Sequence, residues 1–230
     1  MKTHIKICGI TRLEDALLAE SLGASAVGFV FYHKSPRYIT PEKAGFITGN
    51  LGPFIGRVGV FVDEDFSSVI ETARTAHLTA VQLHGSEDPV YAKELKKYGL
   101  QVIKAFRIDD AGNNFDPEKM SEYDINTFLF DTYSSNRILE TGDKGNETEE
   151  CYGGTGKTFD WGKINTVECG KYRRIILAGG LNASNVQEAI RIVKPWAVDV
   201  SSGVEISSPV KKPGIKDPDK MKAFFNAVKK

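Results

Sequence analysis

Short runs of β-branched, aromatic and leucine side chains recur along the whole chain, separated by longer stretches with helical spacing of apolar positions. The runs fall at 5–10 (IKICGI), 26–31 (AVGFVF), 57–62 (RVGVFV), 80–85 (AVQLHG), 101–108 (QVIKAFRI), 127–132 (TFLFDT), 174–179 (RIILAG) and 197–202 (AVDVSS). Most are nearly continuous in Val, Ile, Phe and Leu rather than alternating, which predicts parallel strands covered by helices. The stretches between them carry helix-start signals. Thr11-Arg12-Leu13-Glu14 has capping-box spacing, and Thr40-Pro41, Asp88-Pro89 and Asp217-Pro218 each set a cap residue before a proline at the first helical position. Asn182 is expected to open a helix carrying Val186, Ala189, Ile190 and Val193.

Eight strand–helix units, starting mostly 21 to 31 residues apart, predict an α/β fold: one (β/α)8 barrel, a TIM barrel of eight parallel strands, filling 1–230 as a single domain. A doubly wound open sheet is the alternative, but such sheets more often have five or six strands, and no G-x-G-x-x-G follows the first run. One interval departs from the rhythm. The sixth and seventh runs start 47 residues apart, and 132–152 is polar, with five acidic residues against Arg137 and Lys144. Loops of this length are lids or insertions, and little in this one could pack, which favours an insertion.

Composition narrows the function. Of 230 residues, 41% are hydrophobic and 26% charged, the balance of a globular protein rather than a disordered one. Lys+Arg and Asp+Glu are both 30, so the basic excess of a nucleic-acid binder is missing. The cysteines, Cys8, Cys151 and Cys169, are odd in number and form no C-x-x-C pair, which argues against a disulfide scaffold or zinc ribbon. No apolar run reaches the ~20 residues needed to span a bilayer, and the N-terminus shows no signal-peptide core. The expectation is a cytoplasmic protein acting on small molecules.

In such a barrel the chemistry sits at the C-terminal ends of the strands. Polar and small residues gather there: Cys8-Gly9, Gln82-Leu83-His84-Gly85, Asp131-Thr132, Gly179-Gly180 and Asp199-Val200-Ser201-Ser202-Gly203. Alternation puts Lys6 with Cys8, Gln82 with His84, and Leu129 with Asp131 on shared faces, without saying which face looks inward. Gly179-Gly180 after strand seven and Ser202-Gly203 after strand eight stand where barrels bind phosphate, and Gly153-Gly154-Thr155-Gly156 adds a third glycine cluster. Gly156-Lys157-Thr158 is no nucleotide P-loop, because Cys151 stands where that motif requires glycine. The four histidines lack metal-ligand spacing. His84 alone sits at a strand end, where a substrate hydrogen bond and a structural role are equally open.

Cys8 and Asp131 are the candidate acid–base pair. Strands one and six are three steps apart in an eight-strand ring, so their ends face across the mouth. A thiolate can take a proton from carbon while a carboxylic acid gives one to oxygen. Both groups must then leave their resting states, near 8.5 for a free thiol and 3.9 for a carboxyl. Burial can raise Asp131, and a cation such as Lys6 is expected to lower Cys8.

Lys6-Ile7-Cys8-Gly9-Ile10-Thr11, Gly28-Phe29-Val30-Phe31 with Ser35-Pro36-Arg37, Gln82-Leu83-His84-Gly85 and Leu129-Phe130-Asp131-Thr132 resemble the phosphoribosylanthranilate isomerase family. So do the segment Gly153 to Trp161, Ala178-Gly179-Gly180-Leu181 and Asp199 to Glu205, in the family's order over nearly the whole chain. The resemblance implies an isomerase of tryptophan biosynthesis that carries out an Amadori rearrangement of N-(5-phosphoribosyl)anthranilate with no cofactor and no metal. It implies Asp131 as the acid that opens the ribose ring and Cys8 as the base at C2. Arg37 would hold the anthranilate carboxylate, with Gln82, His84 and the phosphate loops (Gly154, Gly156, Gly179, Gly180, Ser202, Gly203) binding the rest. A small phosphorylated substrate is the implied partner, with no nucleic acid or membrane, and the protein is expected to be a monomer or homodimer.

Every matched motif except the terminal Thr132 of its segment lies outside 132–152. Shortening 135–149 should therefore leave a cooperative thermal melt. Loss of that melt would show that the segment packs against the barrel.

Overall fold

Each predicted run forms a strand, and the eight strands pair in parallel, in chain order, into a closed barrel. The computed structural model describes residues 2–109, 116, 118–133, 161 and 174–229. The strands are β1 (His4–Ile7), β2 (Ala26–Val30), β3 (Gly56–Phe61), β4 (Ala80–Leu83), β5 (Gln101–Asp109), β6 (Thr127–Tyr133), β7 (Arg174–Leu177) and β8 (Ala197–Val200). The helices are α1 (Leu13–Leu22), α2 (Pro41–Gly49), α3 (Phe66–Thr75), α4 (Pro89–Lys96), α5 (Lys119–Glu122), α6 (Val186–Val193) and α7 (Pro218–Lys229). No described helix is long and apolar enough to cross a membrane. The polar stretch after β6 lies outside the described residues except Thr132 and Tyr133, which belong to the strand.

Local caps set where most helices begin. Thr40 accepts from the Lys43 amide, and Asp88 from the Tyr91 amide at 2.7 Å, ahead of Pro41 and Pro89 as the sequence predicts. Asp217 accepts from the amides of Asp219 and Lys220, and Asp65 caps α3 in the same manner. Two start signals behave differently. The Thr11 hydroxyl donates to the Gly214 carbonyl at 2.6 Å, so the capping box never closes; α1 starts after Arg12, which pairs with Asp15 instead. Asn182 closes a turn by accepting from the Ser184 amide, and α6 begins four residues later, at Val186. In both places a longer-range or tighter local bond captures the side chain that a cap would need.

The barrel separates two apolar layers. Outward positions such as Ile5, Ile7, Val27, Phe29, Phe128 and Phe130 pack under the helices. Inward positions such as Val58, Ala80, Ile103, Leu129, Ile176 and Ala197 form a second, smaller cluster. Lys6 and Cys8, Gln82 and His84, and Asp131 continue the inward set toward the C-terminal ends, which resolves the face that alternation leaves open.

The loops that carry the β3 and β4 strand ends are tied down by a buried ion pair. Glu87 accepts from Lys104 Nζ at 2.8 Å and also from the Asp63 and Gly85 amides, while Lys104 donates to the Gly85 carbonyl at 2.6 Å. Both side chains are almost fully buried. Glu87→Ala leaves the Lys104 ammonium buried alone, and the unfolding free energy in urea should fall by about 3–5 kcal/mol; a loss below about 1 kcal/mol would mean the pair is solvated in solution.

Candidate active site

The strand ends surround one cleft of about 760 Å³, open to solvent. Cys8, Arg37, Gln82, His84, Asp131, Gly179, Gly180, Ser202 and Gly203 all line it. The other two glycines of the sequence reading, Gly154 and Gly156, lie outside the described residues, as does the whole 153–156 cluster.

The floor of the cleft is organised by Lys6. Its ammonium donates to Asp199 Oδ2 at 2.8 Å and to Gln82 Oε1 at 3.0 Å, and the Cys8 thiol lies beside it. Parallel pairing of β1 with β8 sets Lys6 directly beside Asp199. Gly28 on β2 makes the room: a Cβ there would lie 2.8 Å from Cys8 Sγ and 3.1 Å from Lys6 Nζ. Burial works against the Lys6 charge, but Asp199 and Cys8 outweigh it and hold the group firmly protonated.

The Cys8 thiol departs from expectation. Burial pushes it above the ordinary value, and the Asp199 carboxylate adds to the rise; Lys6 and, more weakly, Lys216 oppose them without prevailing. The neighbouring cation limits an upward shift instead of producing a downward one, because desolvation disfavours the thiolate more than one paired ammonium favours it. Cys8 is a free cysteine and rests as a thiol.

Across the mouth, Gln82 Nε2 lies 2.9 Å from His84 Nδ1. His84 Nε2 lies 3.3 Å from Asp131 Oδ2, close but without the alignment of a hydrogen bond.

Arg37 is held by Glu205 in a bidentate pair, Nε and Nη2 each 2.8 Å from a carboxylate oxygen. The same carboxylate accepts from Lys216 Nζ at 3.1 Å and from the Gly214 amide at 3.0 Å. Burial raises Glu205, but these donors together overcome it and hold the carboxyl below its ordinary value. Lys216, completely buried, is lowered by desolvation and partly restored by Glu205. Two cations sharing one carboxylate leave this wall net positive.

The loops after β7 and β8 also line the cleft. Gly179 and Gly180 take successive φ angles of +85° and +63°, a conformation that L side chains rarely adopt. Their amides donate to no backbone carbonyl among the described residues. Gly203 has a packing reason as well: a Cβ there would fall 1.9 Å from the Leu181 carbonyl oxygen, so only glycine lets the two loops meet.

Three residues complete the site without a role in the sequence reading: Asp199, Glu205 and Lys216. A carboxylate between Val198 and Val200 is a signal for the first. For Lys216 no local signal exists, since its surroundings come from Ser201, Glu205 and Asp15, the last 201 positions away.

A closed parallel barrel that gathers a thiol, a carboxyl, an arginine and glycine loops at the ends of its strands has the architecture of a (β/α)8 enzyme. The family model described as N-(5'phosphoribosyl)anthranilate (PRA) isomerase matches residues 5–227. A protein named N-(5'-phosphoribosyl)anthranilate isomerase from Citrifermentans bemidjiense is 43% identical over 228 residues, 99% of this chain and 98% of its own. The crystal structure of phosphoribosyl anthranilate isomerase from Thermus thermophilus is 37% identical, with a TM-score of 0.80 over 99% of this chain and 98% of that one. A phosphoribosyl anthranilate isomerase in complex with reduced 1-(o-carboxyphenylamino)-1-deoxyribulose 5-phosphate is 38% identical, with a TM-score of 0.75 and the same coverage of both chains. The chain belongs to the phosphoribosylanthranilate isomerase family and is an isomerase.

Because the Glu205 carboxyl is depressed from 4.5 in the folded state, its contribution to stability is present above that value and is lost as pH falls through the lower one. The urea midpoint of Glu205→Gln should therefore decline less steeply than that of the wild type between about pH 5 and about pH 3. Parallel declines would remove Glu205 as the ionised partner of Arg37.

Proposed function

We propose that the protein converts N-(5-phosphoribosyl)anthranilate to 1-(2-carboxyphenylamino)-1-deoxyribulose 5-phosphate in tryptophan biosynthesis, without a cofactor, using Asp131 as general acid and Cys8 as general base. The observation that carries this reading is that Cys8 and Asp131, from strands three steps apart around the ring, line one cleft. Asp131 gives its proton to the ribose ring oxygen as the C1–O bond breaks, and the anthranilate nitrogen lone pair forms the Schiff base. Cys8, having released its thiol proton to water in the open cleft, then acts as a thiolate stabilised by Lys6 and takes the C2 proton, and the electron pair moves into a C1–C2 double bond to give the enolamine. Tautomerisation yields the ketone. Each turnover leaves a proton on Cys8 and removes one from Asp131, so the pair resets through water in the open cleft.

The ends of the substrate fit the charges of the walls. The net positive wall of Arg37, Lys216 and Glu205 suits the anthranilate carboxylate, with Arg37 the residue that reaches the cleft. Gly179, Gly180, Ser202 and Gly203, with Gly154 and Gly156, would hold the phosphate through backbone amides. Gln82 and His84 would contact the sugar between them. The protein would act as a monomer or a homodimer. A thiol base suits the reducing cytoplasm.

The test follows the fluorescence of phosphoribosylanthranilate. Wild-type protein should consume it, and Cys8→Ala and Asp131→Ala should each lose nearly all turnover, at least about a hundredfold for a general acid or base. Binding of a product analogue by a wild-type protein that shows no turnover would favour a phosphosugar-binding barrel instead.

A further inference from the structure

The hydrogen bonds around Lys6 fix more than the place of Cys8. An ammonium only donates, so the end of Gln82 that meets Lys6 is its carbonyl oxygen, Oε1, at 3.0 Å. The amide's other end is then the –NH2 group, 2.9 Å from His84 Nδ1. An amide nitrogen also only donates, so Nδ1 is the acceptor of the imidazole and the ring's proton sits on Nε2, 3.3 Å from Asp131 Oδ2. Turning the amide over would point its –NH2 at the ammonium and select the opposite tautomer. Lys6 forbids this and cannot itself swing away, because Asp199 holds it at 2.8 Å and the Cys8 thiol takes a further contact. From β5, Arg107 reaches the His84 carbonyl at 3.3 Å and helps to hold this strand end in place.

We propose that Lys6 and Gln82 are positioning residues that select the Nε2–H tautomer of His84 and so orient the Asp131 carboxyl, with one buried ammonium serving both members of the acid–base pair. The inference rests on the roles given to Cys8 and Asp131 above. A carboxylic acid can carry its proton on either oxygen. A donor at Oδ2 leaves Oδ1 to carry the proton that Asp131 delivers. The contact is long in the resting structure and tightens when substrate is seated, as catalytic hydrogen bonds do.

The experiment uses the full chain labelled with 15N-histidine, His84 being assigned by its loss in His84→Asn. The wild type should show a neutral ring protonated at Nε2. Gln82→Glu keeps an acceptor for Lys6 but offers only acceptors to the ring, so it should put a proton on Nδ1. It should also lower kcat about ten- to a hundredfold with a much smaller change in KM. Lys6→Met/Asp199→Asn removes the two charges together, leaving neither buried alone. It should release the tautomer and slow alkylation of Cys8, followed on its peptide by mass spectrometry. A wild-type ring protonated at Nδ1, or a tautomer unchanged in Gln82→Glu, overturns the proposal; if the double variant fails to fold, these two observations decide. A wild type without turnover would sink the acid–base reading and leave the tautomer result standing.

Discussion

Burying an ammonium inside a protein costs several kcal/mol unless its lost hydration is replaced by well-placed acceptors. Lys6, 3% exposed inside the barrel, has those acceptors only because the ring closes: Asp199 comes from β8 beside it and Gln82 from β4 across it. The closed barrel and the buried charge therefore require each other. An open sheet could not bring β8 back to β1, and a neutral residue at position 6 would leave the Asp199 carboxylate without its partner. This single cation also limits the upward shift that burial imposes on the thiol next to it.

The electrostatics differ from one side of the cleft to the other. On the floor, Lys6 and Asp199 neutralise one another. On the wall, Glu205 is shared by Arg37, which lines the cleft, and Lys216, which is completely buried. Buried charges of this kind act with little screening. Two rigid braces hold the loops around the cleft. The Glu87–Lys104 pair secures the turn after β4, and the close approach of Gly203 to Leu181 locks the loops after β7 and β8 together. Both contacts fix loop positions, which a site built on strand ends needs.

Most of the fold is legible in the chain because the forces that make it are local. Strand runs such as AVGFVF and TFLFDT are apolar on both faces, and the caps at Thr40, Asp88 and Asp217, each followed by proline, satisfy amides within three residues. The failures share one cause. Thr11 carries the capping pattern, yet its hydroxyl is claimed by Gly214, 203 positions away, and no local pattern encodes such a competitor. Asn182 keeps a local bond, but to a tighter turn than the helix it was expected to start.

For the site, the sequence by itself determined which residue types stand at the ends of the strands, because a strand that emerges from a core must end in groups that tolerate water. It therefore marks Cys8, Gln82, His84, Asp131 and the glycine loops. Only the tertiary structure decided that these side chains point inward, that Arg37 is gripped by Glu205, and that burial outweighs Lys6 at the Cys8 thiol. Each of these depends on how far groups distant in sequence are brought together and how much water they lose. Alternation along a strand fixes which side chains share a face, whereas the sign of a pKa shift is a balance of desolvation against charge that exists only once the barrel has closed.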